Sequence, residues 1–173
     1  SNLKNDFLDV FIGANCYFCL TTGYGFDDVP LIFGRPLALI STPIIGIRSR
    51  LSNQIFLTKH HFCREKKSNL TLDEIFKKNV YESFYSNEYL EKDIDLNDNS
   101  PEEIKELAIE MIEVLKSDFN KFEESSLQIK FKEKFLKNLN KSNKNTKTQL
   151  LYQTEVKGRF SKYFLEKNKT WLS

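Results

Sequence analysis

Between residues 16 and 41 the chain runs through a strand, a glycine turn, a short helix and a second strand, and no other feature narrows the fold as much. Cys16 to Thr22 is apolar and aromatic, closes on two threonines, and reads as a buried strand. Gly23-Tyr24-Gly25 breaks it. Asp27 and Asp28 sit where a helix would begin, and acidic groups there complement the positive end of its dipole. That helix carries Val29 to Phe33 and stops at Gly34, and Leu37 to Ser41 follows as a second buried strand. Two strands joined through a helix lie parallel in one sheet and need helices to cover it.

The flanking segments fit an α/β domain. Asp6 to Ile12 reads as a short helix ending at Gly13 in a left-handed cap. Thr42 to Ser52 reads as a loop, and Ile55 to Thr58 as a third strand. Thr71 stands three residues before Glu74, the spacing of a capping box. Residues 83–99 are acidic, aromatic and rich in Asn, and read as irregular. Ser100-Pro101-Glu102-Glu103 is the clearest helix start, followed by Ile104, Leu107, Met111 and Leu115 on one face. A basic amphipathic helix over 127–139, a polar loop over 142–148 and a last helix from Phe160 to Glu166 complete the chain. Residues 1–173 read as one domain, with the sheet in 1–99 and a helical extension in 100–173.

Several function classes are disfavoured. No apolar run approaches the length of a bilayer span, and residues 1–6 lack the apolar core of a signal peptide, so a cytoplasmic protein is expected. The net charge is only +2, yet residues 125–173 hold twelve Lys or Arg against three Glu. With 21 Lys and 15 Asn, Lys enrichment follows the general bias of the composition, and no readout motif is interleaved with it. No nucleic-acid partner is expected. A solvated helix face or a surface for an acidic partner explains the basic stretch. Cys16, Cys19 and Cys63 form no disulfide framework. Cys16 and Cys19, three apart in a strand, would face opposite ways. His60, His61 and Cys63 lack a second ligand pair, and no metal site is expected.

Chemistry concentrates in Thr21-Thr22-Gly23-Tyr24-Gly25-Phe26-Asp27-Asp28. Hydroxyls and glycines between a strand's carboxyl end and a helix start allow close backbone approach to a ligand, and free helix amides favour phosphate. A purely structural turn explains the same residues. The run is neither a dinucleotide fingerprint nor a Walker loop.

The same loop, continued through Val29-Pro30-Leu31-Ile32-Phe33-Gly34-Arg35-Pro36, resembles the donor-site segment of glycosyltransferases built from two Rossmann-like domains. Phe56 to His61 with Leu70 to Ile75, and Gly158-Arg159-Phe160 to Trp171-Leu172, extend the resemblance to a bacterial family of surface-carbohydrate glycosyltransferases, aligned to its carboxyl-terminal part. The resemblance implies a small Rossmann-like sheet flanked by helices, with a nucleotide sugar as substrate and no cofactor. It also implies an amino-terminal acceptor domain that 173 residues have no room for, supplied upstream or by a partner chain. Any peripheral membrane association would come through the full enzyme, and this chain alone is not expected to transfer sugar.

Under that resemblance Thr21, Thr22, Gly23, Tyr24 and Gly25 would hold the diphosphate. Tyr24 or Phe26 would stack on base or sugar, and Asp27 and Asp28 would accept from sugar hydroxyls. Arg48, Arg50 and Lys59 would neutralise phosphate, and Arg159 would contact the other domain. The catalytic base is not assigned. The competing reading is a non-catalytic module that docks a partner through the basic carboxyl-terminal helices.

Overall fold

The computed structural model describes residues 5–23, 25–43, 45, 52–117, 119, 121–141 and 156–173. Helix α1 (Asp6–Asn15) leads into strand β1 (Cys19–Thr21), helix α2 (Asp28–Ile32), β2 (Leu37–Thr42) and β3 (Gln54–Thr58). Strands β4 (His60–Cys63) and β5 (Ser68–Asn69) follow, then helices α3 (Leu72–Lys77) and α4 (Ser86–Leu90), and β6 (Ile94–Asn97). Two sixteen-residue helices, α5 (Pro101–Lys116) and α6 (Ser126–Lys141), precede β7 (Arg159–Phe160), α7 (Lys162–Lys167) and a 3-10 turn over Lys169–Leu172.

Strands β1, β2, β3 and β7 form a parallel sheet in that order. The chain is thus an α/β protein with a four-stranded parallel sheet flanked by helices. Its fourth strand comes from the stretch that reads as a helical extension. Strands β5, β4 and β6 form a separate antiparallel sheet.

Period-2 alternation divides the sheet's side chains between two cores. Leu37, Leu39, Phe56 and Phe160 pack with Phe131 and Phe135 of α6 on one face, together with Ile75 and Trp171. Ala38, Ile55 and Leu57 pack with Leu107, Met111 and Val114 of α5 on the other. The helix stripe beginning at Ile104 is therefore a core-covering face. Aromatic edges lock the first core: Phe160 meets Phe56 at 5.1 Å and 76°, and Phe131 at 4.6 Å.

Helix starts were the most legible local signals. Ser100 and Thr71 both close capping boxes, with Glu103 and Glu74 reaching back to their amides. The structure corrects four other expectations. Helix α1 does not stop at Gly13 but runs to Asn15; Gly13 is there for closeness, since a Cβ on it would lie 2.8 Å from Val29 Cγ1. The apolar run from Cys16 supplies a strand only from Cys19, because Cys16 caps α1 and its thiol donates to the Gly13 carbonyl at 3.2 Å. Residues 83–99 are not irregular throughout, for they hold α4 and β6. Phe160 belongs to β7, and the final helix begins at Lys162, capped by Ser161. Most of the Thr42–Ser52 loop and all of 142–148 lie outside the described residues. No helix among the described residues is long and apolar enough to cross a membrane.

Candidate functional site

Because β1, β2, β3 and β7 run the same way, Thr21, Thr42, Thr58 and Phe160 bring their carboxyl ends to one rim. The loop after β1 and Lys59 after β3 therefore share that rim, as a ligand crevice in an α/β sheet requires. They are two strand spacings apart, about 10 Å. Among the described residues β1 pairs only with β2, so the loop sits at the open edge of the sheet and not where strand order reverses.

Within the loop, part of the polar capacity is spent locally. Thr21 Oγ1 accepts the Gly23 amide at 3.0 Å, which folds the chain back after β1 and places Gly23 at φ 82°, buried. The Gly25 and Phe26 carbonyls accept the amides of Asp28 and Val29 at 3.1 and 3.0 Å and start α2. Gly25 has φ 121°, which side chains rarely adopt, and apart from its two chain neighbours nothing lies within 4 Å of where a Cβ would stand. Thr22, Gly25 and Asp28 are exposed and Phe26 is half exposed, so the outer side of the loop is open. Asp27 stands at the N-cap of α2 but is 4% exposed and makes no capping bond with its side chain. Its side chain is therefore buried in this structure. Tyr24, Arg48 and Arg50 lie outside the described residues.

The end of α2 secures the loop from behind. Gly34 at φ 69° lets the Arg35 amide turn back to the Pro30 carbonyl at 2.8 Å. Arg35 Nε then donates to the Ala14 carbonyl at 2.6 Å and ties α1 to α2.

Two expected cations are already engaged. Lys59 Nζ lies 2.6 Å from Asp98 Oδ1, so its charge is met within the chain. Arg159 is buried within β7 and is not at a helix start. It donates to the carbonyls of Phe119 and Phe122 and lies 5.4 and 5.5 Å from their ring centres. Within this chain it holds the α5–α6 connection.

Three polar clusters along the rim were not anticipated. Asn99 Oδ1 accepts the Ser41 amide at 2.8 Å while its Nδ2 donates to the Thr58 carbonyl at 2.9 Å. Ser41, held at φ 49°, is thereby pinned where β2 ends. His60 Nε2 lies 3.0 and 3.1 Å from the Glu103 carboxylate oxygens. Burial raises the Glu103 pKa, but His60 and the Ser100 amide outweigh it and hold the carboxyl below its ordinary range. Glu110 accepts from Gln128 Nε2 at 3.0 Å and from the Lys162 amide at 2.9 Å, and burial pushes it up to about 7. Each cluster joins residues more than fifteen positions apart, which explains their invisibility to local pattern.

The three cysteines are free thiols. Burial, then the neighbouring Cys16, raises the Cys19 thiol above its ordinary value, and Cys63 is buried. Among the described residues no group of three or more His, Cys, Asp or Glu is placed to hold a metal ion. No protein-family model, curated protein or solved structure matches the chain.

Proposed function

We propose that the chain is the nucleotide-sugar-binding half of a bacterial glycosyltransferase that builds surface carbohydrate, with residues 21–28 cradling the diphosphate. The observation that carries this reading is the open loop itself. It follows the carboxyl end of a parallel strand, places Gly23 and Gly25 in conformations suited to glycine, and leaves clear space at Gly25. An anion resting there would meet backbone amides and the Thr22 hydroxyl.

In the reaction this implies, an acceptor hydroxyl oxygen bonds to the anomeric carbon as the bond from that carbon to the diphosphate breaks. The electron pair leaves with the nucleoside diphosphate, and preorganised donors stabilise that developing charge. Lys59 would contribute only after release from Asp98. The acceptor and its base would come from the domain that the resemblance implies.

Calorimetric titration with uridine, guanosine and cytidine diphosphates and their hexose conjugates tests the reading. Saturable binding that Gly25→Ala weakens supports it, and no heat from any of them counts against it.

A docking module remains the second reading, and one observation favours it. Phe7, Phe11, Tyr17, Phe26, Ile32 and Phe33 are each at least half exposed and all fall within the first 33 residues. The basic helix α6 is less free, since Lys132 pairs with Glu124 at 2.6 Å and Lys134 with Asp73 at 3.0 Å. Docking would use the apolar surface before the basic one.

A further inference from the structure

A cavity of about 220 Å³ opens beside the carboxyl ends of β3 and β7, away from the glycine loop. His60, the second residue after β3, forms one wall; Ser68 and Asn69 of β5 form another. Asn168, Thr170 and Trp171, from the turn that ends the chain, close the third. Among the described residues, no Lys or Arg lines it.

The chemistry of this lining is specific. The Glu103 carboxylate accepts from His60 Nε2, and an imidazole that donates there as a neutral ring carries its lone pair on Nδ1. The ring is held flat against Phe164, 5.3 Å away and inclined by 28°. Nδ1 has no hydrogen-bond partner among the described residues. The same holds for the side chains of Ser68, Asn69 and Thr170. Asn168 donates its Nδ2 to the Phe164 carbonyl at 2.9 Å, which leaves its Oδ1 as a spare acceptor. The lining thus offers both donors and acceptors, beside an indole.

We infer that this cavity binds a neutral, polyhydroxylated ligand the size of one sugar ring, with His60 Nδ1, fixed by Glu103, accepting from a ligand hydroxyl. Each hydroxyl donates once and accepts up to twice, which matches a lining of hydroxyls, amides and the imidazoles of His60 and His61. The absence of lining cations disfavours a phosphate. Pockets for drug-sized ligands start near roughly 300 Å³, so a space of about 220 Å³ suits a single sugar ring better than a whole nucleotide. The inference goes beyond the glycine loop and stands whether or not that loop binds nucleotide.

The test is amide and indole NMR on the ¹⁵N-labelled full chain. Glucose, galactose and N-acetylglucosamine are titrated to high millimolar concentration, with inorganic phosphate and uridine diphosphate in parallel samples. The expected result is that at least one sugar shifts Ser68, Asn69, Asn168, Thr170 and the Trp171 indole together, while phosphate leaves them in place. His60→Phe, which keeps the stack on Phe164, and Thr170→Val should each weaken that binding at least tenfold with a native melting curve retained. Nucleotide binding is read separately at residues 22–28, so failure of one site is not mistaken for failure of the other. The inference is overturned if no sugar moves the cavity resonances, if phosphate moves them instead, or if both variants melt normally and bind as well as the parent.

Discussion

Glu110 Oε2 accepts the backbone amide of Lys162 at 2.9 Å, joining the middle of α5 to the first turn of α7 across the end of β7. Ser161 Oγ and Gln128 Nε2 approach the same carboxyl at 3.3 and 3.0 Å, so one acid ties together α5, α6 and α7. Burial outweighs these bonds and lifts its pKa from 4.5 to about 7.

A raised carboxyl pKa makes stability depend on pH in a defined direction. The folded chain holds this proton more tightly than the unfolded one. The contribution is therefore full below pH 4.5 and is lost as pH rises through about 7. Buried His61, pushed down to about 4, acts in the opposite sense: its contribution is lost as pH falls from 6.5 through about 4. Above pH 6.5 His61 completes only the last part of its change, about 0.4 kcal/mol in the opposite sense, and Glu110 dominates. Between there and about pH 8.5 the protein should lose on the order of 1 kcal/mol through this group, a few degrees of melting temperature. Glu110→Gln should flatten that decline while lowering stability overall, because its amide faces the Gln128 donor. Thermal melts across the pH range check both.

Asn99→Ala should be the most damaging polar substitution at the rim. It leaves the Ser41 amide and the Thr58 carbonyl without Asn99, both at buried positions, and releases the positive φ of Ser41. Unmet buried groups cost roughly 1–3 kcal/mol each, so a loss of about 2–4 kcal/mol is expected in urea unfolding.

Gly13→Ala sets two effects against each other. Alanine favours a helix interior by up to about 1 kcal/mol. The new Cβ would lie 2.8 Å from Val29 Cγ1, 3.1 Å from Phe26 Cζ and 3.3 Å from Pro30 Cδ. Overpacking of this kind costs roughly 1–3 kcal/mol, so the clash should win and the melting temperature should fall. A rise would mean that α1 does not rest on α2.

The contrast between local and distant signals explains what could be read in advance. The succession from β1 through α2 to β2 is carried by adjacent residues, and so are the caps at Ser100 and Thr71; periodicity and cap spacing reveal them. Residues 83–99 misled because β6 is only four residues long and is stabilised by pairing with β4, more than thirty positions earlier. Gly13 is a glycine for packing and not for a turn, a distinction that only the proximity of Val29 makes visible. At the site, the loop was legible as a strand–glycine–helix junction. That Asp27 is buried and that Asp98 meets Lys59 depends on neighbours brought in by folding.

Asp98→Asn tests the role given to Lys59. The pair is partly exposed and contributes at most about 1 kcal/mol, so stability should change little. Lys59 would be freed toward the rim, and nucleoside diphosphate affinity should rise severalfold at low salt. Lys59→Ala should not raise it.

The diphosphate cradle is tested most directly by following the backbone amides of residues 22–28 while a nucleotide sugar is titrated into the protein. Saturable shifts centred on Thr22, Gly25 and Asp28, reproduced by the nucleoside diphosphate alone and weakened by Gly25→Ala, are the result expected. Amides that stay unmoved for every nucleotide sugar tried, in a protein that melts cooperatively, would contradict it.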